Sequence, residues 1–389
     1  MADSNAPAGP ETPTSPWTAL SDTQREIVLA LLRHGRLLRP EIMRIVGISP
    51  GSVTRLTTPL VEAGLLTVHT QQVADTGRPQ SPLEVRANAE SVVGVGLSTN
   101  LLTAVLTDLR LGILATVRRP LTSHDPADIV GELAAALTDL AAAAADAPPP
   151  SCLGVSLGGT ARDGRTVDEA VFYGWHRAPL ADLIEARAGV PTIIGNDLSA
   201  LTLREAWFGV GREHGRFSLL TVGAGVGHGL VVDGRVVTNA DAEMGLLGIV
   251  PVPDGGRPAR AVAAMDCLTN EALERAWVQH DHDRLTAADI VELATAGDTD
   301  AVTLCASYAR RLGRLLGMAA AFTLPEVVVI AGERAAIAAL FEDEVQQGIA
   351  AVRRASATPL DVVVREHDRA EWATGAAALA LRARVLGKL

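Results

Sequence analysis

The sequence predicts an α/β fold in two parts: a small helical head carrying a β-hairpin wing, and a larger body of two similar lobes. Two observations lead there. Residues 21 to 60 carry apolar side chains at helical spacing, interrupted by Gly35 and Gly47. From Val92 three short apolar strands precede a helix, and the strand triplet returns at Phe217, 125 residues further on.

Length and composition frame this reading. The 389 residues, 48% of them apolar, leave room for two or three domains with proper cores. No apolar run approaches the length of a membrane span. Residues 1–20 are rich in Ala, Pro, Ser and Thr, which predicts a disordered tail, and Met1 to Pro16 lack the basic start and apolar stretch of a secretory signal. A cytoplasmic protein without a membrane partner is expected. Cys152, Cys267 and Cys305 are too few and too scattered for a disulfide framework. Lys388 is the only lysine. Net charge is −11, yet residues 21–86 hold eight Arg against six acids. An acidic body with a basic head suits a chain that meets a polyanion at one end.

The head is read from its caps. Ser21 with Gln24 forms a capping box ahead of Ile27, Val28, Leu31 and Leu32, and Gly35 ends that helix. Pro40 opens a second helix with Ile42, Ile45 and Val46 on its inner side. Gly47 supplies a tight turn. Ser49 caps a third helix, opened by Pro50, whose Val53, Leu56 and Leu60 face inward. Ser49, Gly51, Ser52, Thr54, Arg55 and Thr58 are left to face outward as candidate DNA contacts. Two short helices across a glycine turn, the second small and polar at its start, make a helix-turn-helix. Arg55 can reach a guanine or a phosphate. Pro59 should kink the third helix by removing the bond to the Arg55 carbonyl. Strands Leu65 to Thr70 and Leu83 to Arg86 then flank a wing, whose Gly77-Arg78-Pro79 tip suits an A·T-rich minor groove.

In the body, strands at Val92–Leu97, Leu102–Asp108 and Ile113–Arg118 lead to a helix from Pro126, capped by Asp125, and to a strand at Cys152–Leu157. The second triplet is Phe217–Val222, Gly229–Val232 and Val236–Thr238. A cleft between two lobes follows, approached by a Gly-rich turn in each. The terminal helix, Glu371 to Leu386, is expected to return to the first lobe. The predicted domains are a tail (1–20), a winged helix-turn-helix (21–88), a first lobe (89–195 with 368–389) and a second lobe (196–367).

Several motifs in order carry a resemblance: Gly77-Arg78-Pro79, Asn196-Asp197 with Ala200, Glu205 and Trp207-Phe208-Gly209, then Gly223-Ala224-Gly225-Val226-Gly227. Behind a winged head, from about residue 21 onward, the chain resembles the ROK family of repressors, open reading frames and sugar kinases. The resemblance implies an actin-like, ribonuclease-H-like pair of lobes. It also shows what this chain lacks. Where ROK kinases have an acid followed by Gly-Gly-Thr, this sequence has Gly96-Leu97-Ser98-Thr99-Asn100, and Ala224 replaces a Thr. The general-base position is kept as Asp197. Without phosphate cradles a base has nothing to transfer, because phosphoryl transfer rests on positioning and charge neutralisation. The family's zinc positions fall on Leu246, Arg260, Val262 and Cys267, one thiol and no His, so neither metal nor cofactor is expected. His280-Asp281-His282-Asp283 reads as a solvated loop.

Of the family's sugar contacts, Asn196, Asp197 and Glu243 match, whereas Phe172, Leu246 and Thr269 depart. Gly159, Asn196, Asp197 and Glu243 are the candidate effector residues, for a sugar-like or less polar ligand. The alternative is structural: Asp197 caps the helix near Leu198 and Glu243 binds nearby backbone. The expected function is a sequence-specific regulator, a repressor acting as a homodimer or homotetramer on a double-stranded, two-fold symmetric operator. The rivals are a DNA-binding regulator without a small effector, controlled by a protein partner, and an active sugar kinase.

Overall fold

The computed structural model describes residues 17, 19–69, 81–239, 241–254, 257–280, 282–368 and 370–389. The head is built on three helices. Ser21 caps α1 (Asp22–His34), and its backbone N–H donates to Gln24 Oε1 at 3.0 Å, closing the box. Next come α2 (Arg39–Val46) and, across Gly47 at φ 74°, α3 (Pro50–Glu62). Ile45, expected inside, is exposed, whereas Ile42 is fully buried. The helical period explains this: Ile42 and Val46 lie 40° apart around the axis, and Ile45 sits 60° beyond Ile42 on the other side. Helix α3 is not ended by Pro59 but runs on to Glu62. Strands β1 (Leu66–Val68) and β2 (Leu83–Val85) pair antiparallel, and Leu37 bridges to Leu83, so the wing springs from a small sheet.

The tail expectation needs correcting at its end. Trp17 is buried and Leu20 joins it in the core shared by the head and body. A lone indole in a Pro-rich stretch offers a large apolar area, and the head's core has taken it up.

The first lobe starts with an antiparallel meander, β3 (Ser91–Ser98), β4 (Leu101–Asp108) and β5 (Ile113–Pro120). Helix α4 (Pro126–Ala143), capped by Asp125, leads to β6 (Pro150–Leu157), parallel to β3. A hairpin of β7 (Val167–Ala170) and β8 (Trp175–Ala178), then α5 (Leu180–Ala188), precede β9 (Thr192–Asn196), parallel to β6. Helix α6 (Asp197–Phe208) crosses to the second lobe. There β10 (Phe217–Val222), β11 (Val226–Val232) and β12 (Arg235–Val236) repeat the meander. Strand β11 starts earlier than expected because its glycines hide it: a Cβ on Gly229 would lie 1.9 Å from Thr202 Oγ1 of α6.

The chain then forms a hairpin of β13 (Pro251–Asp254) and β14 (Arg257–Ala263), and helices α7 (Ala264–Cys267), α8 (Asn270–Val278), α9 (Ala287–Thr295) and α10 (Thr299–Thr323). It continues with β15 (Val327–Ala331), α11 (Ala335–Leu340), α12 (Glu342–Val352), β16 (Val362–Val364) and α13 (Glu371–Leu386). The two sheets have matching orders, β5-β4-β3-β6-β9 and β12-β11-β10-β15-β16.

Helix α13 returns to the first lobe and is apolar nearly all round, with six of its alanines buried (Ala373, Ala376, Ala377, Ala378, Ala380 and Ala383). Glycines let it lie against the sheet backbone. A Cβ on Gly94 would stand 1.9 Å from the Ala373 carbonyl oxygen, and one on Gly154 2.0 Å from that of Ala376.

The head is tied to both lobes. Arg25 Nη1 donates to the Val385 carbonyl at the end of α13, near the exposed Lys388. Glu84 of β2, 5% exposed, hydrogen-bonds with Arg36 (3.1 Å) and His69 (2.8 Å) of the head and forms an ion pair with Arg110 of the first lobe (2.8 Å). Burial raises the pKa of Glu84, but the Arg36 hydrogen bond and the Arg110 charge outweigh it and hold the carboxyl below its usual range. On the second lobe, Arg212 Nε donates to the Arg33 carbonyl at 2.8 Å.

Candidate nucleic-acid interface and effector cleft

The candidate DNA contacts on α3 share one outward face. Gly51, Thr54, Arg55 and Thr58 are exposed, and Ser52 is half-buried. Ser49 is also exposed, but its hydroxyl caps the helix, accepting from Ser52 N–H at 3.3 Å. Thr58 Oγ1 donates back to the Thr54 carbonyl at 2.9 Å. A Cβ on Gly51 would meet nothing within 4 Å, so packing inside the protein does not demand a glycine there. A bare backbone at the N-terminus of α3 leaves its unpaired N–H groups open to a phosphate. Gly77 and Arg78 lie outside the described residues.

The candidate effector residues gather around the turn after β6. Asn196, 5% exposed, is the cap of α6: its Oδ1 accepts from Ser199 N–H and its Nδ2 donates to the Gly159 carbonyl, each at 3.0 Å. The cap is thus Asn196, not Asp197. Gly159 is pressed on β7, where a Cβ would lie 2.6 Å from the Glu169 carbonyl oxygen. Asp197 is half-buried, and desolvation pushes its carboxyl pKa up against the opposing bond from Leu198 N–H. Its Oδ2 and the Phe172 ring both lie within 3.6–3.8 Å of where a Cβ on Gly158 would stand. Glu243 of the second lobe reaches across to this turn. Its carboxyl pKa is raised by burial, opposed by a bond from Ala161 N–H and the charge of Arg162. Its Oε2 is buried with no hydrogen-bond partner among the described residues.

The departures from the kinase pattern have structural counterparts. Phe172 and Leu246 are exposed, and Thr269 caps α8 by accepting from Ala272 N–H at 3.2 Å. A Cβ on Gly96 would sit 3.0 Å from Trp372 Cβ and 3.1 Å from Ala373 N, so α13 crowds the place of the missing acid. Ser98 and Leu101 close a tight hairpin, with the Ser98 hydroxyl donating to the Leu101 carbonyl. In the second lobe, the Glu333 carboxylate lies 3.2 Å from a Cβ built on Gly223. Cys267 is buried, its thiol 3.7 Å from the Ala264 carbonyl. His282, expected in a solvated loop, stacks on Trp277 with ring centroids 3.9 Å apart. Among the described residues no cluster could hold a metal ion, and no helix is long and apolar enough to cross a membrane.

A winged helix-turn-helix joined to an actin-like sugar-kinase body defines a class of DNA-binding transcriptional regulators. The chain belongs to the ROK family: the ROK family model matches residues 92–383, and a winged helix-turn-helix DNA-binding model matches residues 20–67. The DNA-binding transcriptional dual regulator NagC of Escherichia coli (strain K12) is 26% identical over 320 residues, 77% of this chain and 78% of that one. The crystal structure of a ROK family transcriptional regulator, a homologue of the E. coli MLC protein, superposes with a TM-score of 0.76 at 22% identity, covering 94% of this chain and 97% of its own. A ROK family glucokinase from Streptomyces griseus, solved with glucose and AMPPNP, gives 0.63 at 23% identity over 75% of this chain and 99% of that one. The family thus includes kinases as well as regulators.

Proposed function

We propose that this regulator is a repressor with a non-catalytic body, binding a two-fold symmetric operator as a homodimer or homotetramer. The observation that carries the reading is the outward face of α3. Among the described residues, a Cβ on Gly51 would meet nothing within 4 Å, and no hydrogen bond or ion pair engages the exposed Arg55. The face therefore has reach to spare for base edges, with Gly77 and Arg78 entering the adjacent minor groove. Arg55→Ala is expected to weaken binding to a genomic fragment recovered by mapping bound sites by about 5- to 150-fold, which is ~1–3 kcal/mol. Unchanged affinity and salt slope would remove Arg55 from the interface.

Two features support a body that does not phosphorylate. Helix α13 crowds Gly96, and Glu333 brings a carboxylate beside Gly223, where a nucleotide's phosphates would be repelled. The cleft is left as a sensor. Gly159, Asn196, Asp197 and Glu243 would hold a sugar-like ligand, made less polar by Phe172 and Leu246. The raised carboxyls of Asp197 and Glu243 suit a ligand that donates hydroxyls to them. ATP turnover with any hexose above background would overturn the non-catalytic reading. A melting shift with hexoses that disappears in Glu243→Gln would support the sensor.

A further inference from the structure

A second cavity, of about 390 Å³, lies at the other end of α6 from the cleft. Asp197 begins that helix, whereas Arg204 and Phe208 of the cavity wall come 7 and 11 residues later, about 10–16 Å along the axis. The volume falls within the range of small-molecule sites. Its walls come from three sources: the β4–β5 turn (Arg110), the end of α6, and the start of α13 with the segment before it (Arg365, Glu371).

The charges on these walls do not close among themselves. Arg204 and Arg365 both pair with one carboxylate, Glu205, which is 1% exposed; Arg365 Nε is 3.4 Å from its Oε1. Two guanidiniums sharing one carboxylate leave guanidinium N–H donors in surplus. Glu371 is the opposite case. It is 5% exposed, and its Oε1 has no hydrogen-bond partner among the described residues. The nearest ring nitrogen, His367 Nδ1, stands 3.9 Å away, beyond hydrogen-bond reach. Leaving a buried carboxylate oxygen unsatisfied is costly. The other acids on the wall, Glu366 and Asp368, are exposed, and Asp368 already accepts from Ala370 N–H. The cavity thus presents spare guanidinium donors and, among the described residues, a buried acceptor without a hydrogen bond.

We propose that this cavity binds a small carboxylic acid that also carries a hydrogen-bond donor, a hydroxy acid or an amino acid. The ligand's carboxylate meets Arg365 and Arg204, and its hydroxyl or ammonium fills Glu371 Oε1. Arg110, on the same wall, also holds Glu84 at the base of the wing, so an occupant sits one side chain from the head.

The test is a melting and calorimetric titration of the full-length protein with D-glycerate and with L-serine. These separate the hydroxy-acid from the amino-acid source. Acetate, an acid without the donor, and glycerol, a donor without the acid, serve as controls. At saturation one of the two probes is expected to raise the melting temperature by about 3 °C or more, and both controls to leave it unchanged. Arg365→Gln, at a partly exposed position, and Glu371→Gln should each weaken binding at least about tenfold. No shift with either probe, an equal shift with acetate, or affinity unchanged in Arg365→Gln would each overturn the assignment. None of these outcomes bears on the Arg55 operator test.

Discussion

The two lobes share a strand order but hold the head in opposite ways. The first lobe meets it with matched charges and a capped helix end: Arg110 on the buried Glu84, and Arg25 on the last turn of α13. The second lobe meets it with cations against cations. Arg33 and His34 of the head face Arg212 and Arg235, and a Cβ on Gly234 would stand 2.0 Å from the Arg33 guanidinium. Burial, then the charge of Arg235, lowers the pKa of Arg33; burial, then Arg33 and Arg212, lowers that of His34. The first lobe therefore meets the head with paired charges, and the second with packing and the Arg212–Arg33 backbone hydrogen bond, against like charges.

The largest effect is expected where α13 lies against the sheet of the first lobe. Gly154→Val drives a side chain into the α13 backbone and should cost about 3 kcal/mol or more, or prevent folding. Gly131→Ala in α4, where a Cβ meets nothing, should instead stabilise by about 0.5–1 kcal/mol. Urea titrations of both variants check the contrast.

Glu84→Gln comes next, at about 2 kcal/mol, because it leaves the charged partners of a buried carboxylate without their anion. The sign with pH follows from its depressed pKa. The stabilisation is present above the unfolded carboxyl pKa and is lost as pH falls through the lower folded value. The wild type should therefore exceed the variant at pH 7 and converge on it in acid.

Asp197→Asn goes the other way. Its carboxyl is raised by burial, so the wild type loses stability as pH rises from the unfolded pKa to the folded one. The variant should match the wild type in acid and be about 1 kcal/mol more stable at pH 8. A wild type that is more stable at pH 8 would mean that the backbone N–H groups at the start of α6 outweigh the burial of Asp197.

Arg212→Ala should change stability least, by under about 1 kcal/mol, since a lost hydrogen bond is offset by relief of like charge. Hydrogen exchange in α1 should nevertheless quicken in Arg212→Ala far less than in Arg25→Ala, if the first lobe is the firmer attachment.

Local chemistry was legible from sequence, and long-range pairing was not. The Ser21 box and the Gly47 turn follow from caps and periodicity, which act within a few residues. Glu84 gave no such signal: a single Glu in a short strand reads as a solvated position until Arg110 arrives from the body. Trp17 falls in a stretch rich in Ala, Pro, Ser and Thr that reads as a tail, yet its burial depends on the head's core. At the cleft, Asn196, Asp197 and Glu243 follow from the family resemblance, but which residue caps α6 is decided by one residue of register. Exposure of Ile45 turned on the same arithmetic.

The lone lysine offers a practical handle. Lys388 is exposed just past α13, where Arg25 of the head caps the helix. Amine-directed dyes have this as their sole side-chain target in the whole chain. Once the α-amino group is blocked, a single fluorophore can be seated at the joint between trunk and reading head without any engineered cysteine, and its anisotropy would report when the joint loosens.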